Sequence, residues 1–214
     1  IRATLTENEK ENAIVLCNEA LLLPVLHSIP EGVKNVNITM GFPLAQTPAY
    51  TFVDALLELQ TTGYNSSTGR YTHATVQAVL KHPYTRSLSP IQAEALEQEL
   101  TRKNRFYPYP SELKKDDFLT LLFTPCNNMI GLCRYITEML KEVTVLYRRE
   151  EDDDVFSQLY RESLFKSYTI VNRMLNLMES RSLHLKVETL KRLIHKMLAA
   201  TNIPFHGEPA IGMQ

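Results

Sequence analysis

The sequence predicts a mainly α protein with a small α/β portion: a partial parallel sheet (β-α-β) followed by an inserted multi-helix domain. Three observations predict it. A continuous apolar run, Asn12 to Cys17, is followed by a helix pattern and a second short run, Asn35 to Thr39, as in a β-α-β unit. From Thr47 to Ala200 apolar residues recur at helical spacing. The last segment, Ile203 to Gln214, then reads as a turn-rich approach to a strand that does not follow. Two strands do not make a stable parallel sheet. The expectation is therefore an excised piece of a larger α/β protein, with residues 1–45 and 203–214 as two edges of one lobe and 46–202 as a helical insert.

Each element has its own warrant. Asn12 to Cys17 has the unbroken apolar character of a strand buried on both faces. Asn18 is placed to cap a helix over Glu19 to Ser28, which Pro24 kinks or delays. Residues 29–32 are a turn, and Val36 and Ile38 alternate with polar neighbours as a short strand does. Thr47-Pro48 is an N-cap followed by proline at the first helical position. Tyr50, Val53, Leu56, Leu57 and Gln60 extend that helix to Thr61. Thr62 to Gly69 is a loop by its Gly, Asn, Ser and Thr content. A helix over Thr72 to Leu80 ends at His82-Pro83-Tyr84, and Ser89-Pro90 opens another that runs to about Asn104. The Phe106-Tyr107-Pro108-Tyr109-Pro110 stretch cannot be helical throughout. Short helices follow at 111–114 and 116–123. Three amphipathic stripes, 129–146, 155–178 and 187–200, complete the chain, the first two separated by the acidic run Glu150 to Asp154.

Composition narrows the function classes. The 214 residues are 44% hydrophobic and 22% charged, ordinary for a globular core. With 23 basic and 24 acidic residues the net charge is −1, so no global field draws the chain to nucleic acid or membrane, and only local patches can do so. No run approaches the roughly 18–20 apolar residues of a membrane span, and no signal-peptide pattern is present. Cys17, Cys126 and Cys133 form no metal-binding spacing. Cys126 and Cys133, seven apart, are expected two turns apart on one helix face, too far to bridge. So sparse and odd a count fits a reducing cytoplasm. The six histidines, His27, His73, His82, His184, His195 and His206, pair with no second ligand at metal spacing.

The order of the pieces resembles the second motor lobe of UvrD/RecB-type superfamily 1 helicases. Ala13 to Leu22 is similar to the strand and helix of that family's fourth motif. Val36 to Leu44 resembles the strand and glycine turn leading into its inserted helical 2B subdomain, and Ile203 to Gln214 resembles the return before the fifth motif. The wording is closest to the AddB-like proteins of Bacteroidetes, which join an inactivated helicase to a PD-(D/E)XK nuclease domain. The resemblance covers nearly the whole chain and is specific only at its ends. It implies a 2A-like lobe at 1–45, a 2B-like insert at 46–202 and a truncated return at 203–214. It further implies DNA repair or recombination in the cytoplasm, an exodeoxyribonuclease parent that uses Mg2+, and an AddA-like helicase-nuclease subunit as partner. Active relatives carry a phosphate-reaching arginine in the fourth motif. Cys17 to Pro30 holds no Arg or Lys, and His27 is its sole basic candidate. The resemblance thus implies a lobe that does not hydrolyse ATP, and the chain has no Gly-x-x-x-x-Gly-Lys-Ser/Thr loop.

No catalytic set emerges from the residues. Glu112-Leu113-Lys114 matches half of a PD-(D/E)XK motif, but no Pro-Asp precedes it and the local pattern is a helix start with Ser111 as cap. Glu150 to Asp154 lacks the alternating ligands and glycine of a calcium loop and reads as a solvated linker. His206 reads as a turn histidine. No cofactor or metal is expected in this segment. Three basic clusters are candidates for phosphate contact: Arg102, Lys103 and Arg105; Arg148 and Arg149; and Lys191, Arg192 and Lys196 with His195, expected on one face opposite the apolar stripe. The Phe106 to Tyr109 turn beside the first could stack bases or be a packing corner. Three functions follow: a non-catalytic, DNA-contacting and domain-positioning segment, a helical protein-protein interaction domain without nucleic-acid binding, or an active helicase lobe.

Overall fold

The computed structural model describes residues 13–18, 21–30, 41–148, 155–180 and 185–203. It is mainly helical, with two short antiparallel sheets among the described residues. The chain divides into two compact units, residues 1–43 with 202–214, and residues 44–201.

In the first unit, helix α1 spans Leu22–Ser28. Pro24 falls in its first turn, where a missing N–H leaves no intrahelical bond unmade, so the proline delays the helix without kinking it. Strand β1 (Phe42–Pro43) pairs antiparallel with β4 (Asn202–Ile203), Phe42 opposite Ile203. Both of those apolar side chains are buried. The expected buried strand at the start is not formed. Ala13 to Leu16 lies outside any strand, and Val15 is 87% exposed. An apolar run becomes a buried strand only when a neighbour covers it, and its expected partner, 35–39, lies outside the described residues. The described pairing at this edge is the antiparallel β1–β4 contact rather than a parallel ladder.

The second unit begins with a 3-10 turn, Leu44–Gln46, and helix α2, Pro48–Glu58. Thr47 caps α2 by accepting from the Tyr50 N–H at 3.4 Å. Phe52, Val53, Leu56 and Leu57 are fully buried, so α2 is the central post of the unit. The helix does not continue regularly to Thr61. It widens into a π turn at Leu59–Gly63, and a hairpin follows, β2 (Tyr64–Asn65) with β3 (Arg70–Tyr71). The stretch read as a loop is therefore an ordered hairpin. Asn65 shapes its turn: the side-chain carbonyl accepts from the Ser67 N–H at 2.9 Å, and Gly69 takes the left-handed conformation, φ +66°.

Helix α3 (His73–Lys81) is followed at once by α4 (Pro83–Leu88) and α5 (Pro90–Arg102). Helix α4 has no counterpart in the sequence reading. His82 stops α3 and caps α4, and Pro83 sits at the first helical position. Helix α5 stops two residues short of Asn104 for a visible reason. Asn104 is left-handed, φ 48°. Its N–H reaches Thr101 O at 3.1 Å, and the Arg105 N–H reaches Leu100 O at 2.9 Å, a Schellman ending. Helices α6 (Pro110–Leu113) and α7 (Asp117–Leu122) are short, the latter capped by Asp116 through the Leu119 N–H at 2.7 Å.

Helices α8 (Met129–Arg148) and α9 (Val155–Glu179) form the most extensive helix pair. Leu132, Cys133, Ile136, Met139, Leu140 and Val143 on α8 and Leu159, Leu164, Val171 and Met174 on α9 are buried. Full burial of such side chains stabilises the fold by roughly 1.5–3 kcal/mol each. Helix α10 (Val187–Ala199) seats Leu190, Ile194 and Leu198 in the core. Cys126 precedes α8 instead of sharing its face with Cys133. Gln60, in the π turn, is a buried polar clamp. Its amide donates to Thr124 O at 3.1 Å and its carbonyl accepts from the Cys126 N–H at 3.1 Å. No described helix is long and apolar enough to cross a membrane.

Candidate nucleic-acid interface

The Schellman turn at Asn104 sends the chain out of α5 as an irregular segment, 105–109, bent at Phe106 and Tyr107. That segment lies alongside β3 and the start of α3. Tyr71 N–H donates to Pro108 O at 3.0 Å, and His73 N–H donates to Phe106 O at 2.8 Å. The backbone is thereby pinned at two carbonyls. Pro108 turns inward and is buried, while Phe106, Tyr107 and Tyr109 stay 64%, 61% and 42% exposed. Three exposed aromatics within four residues of a fixed backbone are unusual for a solvated surface, where contiguous apolar patches mark contact sites.

The three rings are differently placed. Phe106 meets His73 edge to face at 6.3 Å between centroids. Tyr109 is covered by Arg70, whose guanidinium carbon lies 4.3 Å from the ring centroid and whose Nη2 donates to the Tyr109 hydroxyl at 2.6 Å. Tyr107 stacks on no ring among the described residues. The hairpin and the irregular segment enclose a cleft of about 360 Å3 lined by Asn65, Thr68, Arg70, Thr72, Tyr107 and Tyr109.

The first basic cluster precedes this segment in the chain, and Arg102 lines a separate surface cleft with Arg86, Glu94, Glu97, Gln98 and Thr101. Arg102 sits in the last turn of α5 and is exposed. Lys103 pairs with Glu99 at 2.6 Å, and Arg105 pairs with Glu112 at 2.8 Å. Both cations remain over half exposed, so these pairs are weak and exchangeable with another anion. Lys103 and then Lys115 hold the Glu99 carboxyl below its usual range. From Arg102 to Asp117 the chain carries Arg102, Lys103, Arg105, Lys114 and Lys115 against Glu112, Asp116 and Asp117, and Glu99 of α5 pairs with both Lys103 and Lys115. Glu112 is fully engaged. One carboxylate oxygen bonds Arg105 and the other accepts from the Tyr109 N–H at 2.8 Å, which closes the first turn of α6. That is the helix-start role, with Tyr109 rather than Ser111 at the cap position.

The second cluster is split. Lys191 and His195, one turn apart on α10, face α2 rather than solvent. Lys191 Nζ bonds the Glu58 carboxylate, and His195 Nε2 lies 2.8 Å from Asp54 Oδ1, with the Tyr50 hydroxyl 3.4 Å from Nδ1. Lys191 holds the Glu58 carboxyl below its usual range. Asp54 and Glu58 are themselves one turn apart, so the two helices form a two-rung ladder. Only Arg192 and Lys196 of this cluster are left exposed. Of the third pair, Arg148 ends α8 and Arg149 lies outside the described residues, as do the acidic run 150–154, His184 and His206. Among the described residues no group of three or more His, Cys, Asp or Glu could hold a metal ion.

Arg70 is the residue that sequence reading missed. Its signal was present: Tyr64 and Tyr71 are register partners, as are Asn65 and Arg70, about the turn Ser66-Ser67-Thr68-Gly69, in a stretch too short to show strand periodicity. Compared with known families, curated proteins and solved structures, the chain matches none.

Proposed function

We propose that the chain is a non-catalytic, helicase-like segment of a cytoplasmic DNA-repair helicase-nuclease, and that its helical unit contributes DNA contact and domain positioning. The observation that carries this is the aromatic and basic corner at 102–109, pinned by backbone hydrogen bonds and backed by Arg70. Exposed cations supply sequence-independent attraction to phosphates, and exposed rings supply stacking worth about 1–3 kcal/mol per base. The placement within a helicase-nuclease rests on the sequence resemblance alone, since Ala13 to Leu16 forms no strand and residues 31–40 and 204–214 lie outside the described residues. In that setting the nuclease chemistry and its Mg2+ belong to another domain, and an AddA-like subunit is the partner. Arg192 and Lys196 provide a secondary phosphate contact, whereas Lys191 serves α2.

The competing reading, a protein-docking helical domain, draws on Ile91 and Phe165, which are 76% and 58% exposed. Fluorescence anisotropy separates the two. Labelled single-stranded and duplex DNA should bind the chain at low salt, and replacing Arg102, Lys103 and Arg105 by Ala should weaken binding at least tenfold. Full affinity in that triple variant would sink the assignment of the interface.

A further inference from the structure

The cleft between the hairpin and the 105–109 segment has a more particular chemistry than a basic patch. Its volume of about 360 Å3 falls in the range of small-molecule sites, roughly 300–1,000 Å3. Its lining includes a ring with no stacking partner among the described residues, Tyr107. It also includes a guanidinium, Arg70, held in place by the ring and hydroxyl of Tyr109. Arg70 makes no ion pair among the described residues, and its fork has donors beyond the one that Tyr109 engages. An aromatic face and an arginine fork in one small cleft match the two ends of a nucleotide, base and phosphate.

We propose that this cleft takes one unpaired nucleotide of a single strand, its base stacked on Tyr107 and its phosphate held by Arg70. The proposal rests on the DNA-contact reading above and narrows it to a strand type. A base inside a duplex has both faces covered by its neighbours, so away from a duplex end Tyr107 can stack only on an unpaired base. The walls lend themselves to preorganisation. The Phe106 and Pro108 carbonyls are bonded to His73 and Tyr71, and the Asn65 turn is closed by the Gly69 N–H to Asn65 O bond at 2.8 Å. Stacking on a ring face is tolerant of base identity, so the site reads single-strandedness and not sequence.

The test uses the full chain and two probes of equal length and charge: an oligothymidylate of about ten nucleotides and its abasic counterpart. The wild-type chain should bind the base-bearing strand roughly tenfold more tightly than the abasic one. Tyr107→Ala should bind the two equally, and Tyr107→Phe, which keeps a ring face, should retain the preference. Arg70→Ala should weaken both probes alike. Equal binding of the two probes by the wild type, or an undiminished preference in Tyr107→Ala, overturns the cleft while leaving phosphate contact intact. Failure of the wild type to bind either probe overturns the DNA-contact reading and the cleft with it.

Discussion

The backbone N–H of His73 donates to the carbonyl of Phe106 at 2.8 Å, and this bond ties the aromatic segment to the start of α3. The neighbouring bond from Tyr71 N–H to Pro108 O, at 3.0 Å, completes the pinning. A free loop carrying the same rings would lose conformational entropy each time it met a ligand. Here that ordering is already in the fold.

This pinning predicts a hydrogen-exchange pattern. The amides of Tyr71 and His73 should exchange at least about tenfold more slowly than that of Ser66 at the hairpin tip. Exchange of His73 as fast as the tip would mean that the segment is not held.

The buried His82 predicts a pH-dependent stability. Its Nδ1 accepts from the Tyr84 N–H at 3.2 Å, which caps α4, and Nε2 lies 3.1 Å from Thr51 Oγ1. Nδ1 can accept only while the imidazole is neutral, and burial lowers the histidine's pKa from 6.5 to about 4. The folded state thus favours the uncharged ring. Its contribution is complete above pH 6.5, drains as the pH falls toward about 4, and is flat below that. The loss amounts to at most roughly 3 kcal/mol. Urea unfolding between pH 7 and 4.5 should show it. His82→Asn, which keeps a cap acceptor and does not titrate, should remove most of the slope in that window.

The α2–α10 ladder predicts that Lys191 and Lys196 behave differently although they are one turn and one residue apart. Lys191→Ala should leave DNA affinity within about twofold of wild type, while Arg192→Ala with Lys196→Ala should weaken it several-fold. In a double-mutant cycle, Lys191 and Glu58 should couple by about 1 kcal/mol or less, since both are partly solvated, and salt should reduce the coupling. The depressed Glu58 carboxyl gives that coupling its pH sense. It is present above pH 4.5 and fades as the pH falls through the lowered value. A large loss of DNA binding in Lys191→Ala would place that side chain on the interface and not in the ladder.

Much of the helical unit was legible because its signals are local. Thr47-Pro48 marks the start of α2, Asp116 that of α7, and the stripe from Leu132 to Val143 faces the core. The failures have physical causes. Helix α4 was hidden because His82-Pro83 reads as a stop, yet proline at a first helical position is also a start, and histidine is an uncommon cap. The hairpin was hidden because two-residue strands show no alternation. The run Ala13 to Leu16 misled because apolar character records the capacity for burial, not the presence of a covering partner. The basic face of α10 misled in a similar way. On a helical wheel Lys191 and Lys196 lie about 140° apart, with Lys191 and His195 flanking the apolar stripe, and the fold shows that Glu58 and Asp54 of α2 claim that flank.

The site was half legible. Arg102, Lys103 and Arg105 stand beside exposed rings as the segment suggests, while Arg70 arrives from a hairpin thirty or more positions earlier in the chain. Long-range pairing of that kind leaves no trace in local spacing.

The central claim is that phosphate contact through the 102–105 corner draws single-stranded DNA to the helical unit, and its most direct measurement is the salt dependence of binding. A plot of log K against log salt should be linear, with a slope of about −2 to −4 for some three to six neutralised phosphates. Replacing Arg102, Lys103 and Arg105 together by Ala should bring the slope about 2 closer to zero. Absence of binding at low salt, or a slope that the triple replacement leaves unchanged, would contradict the account.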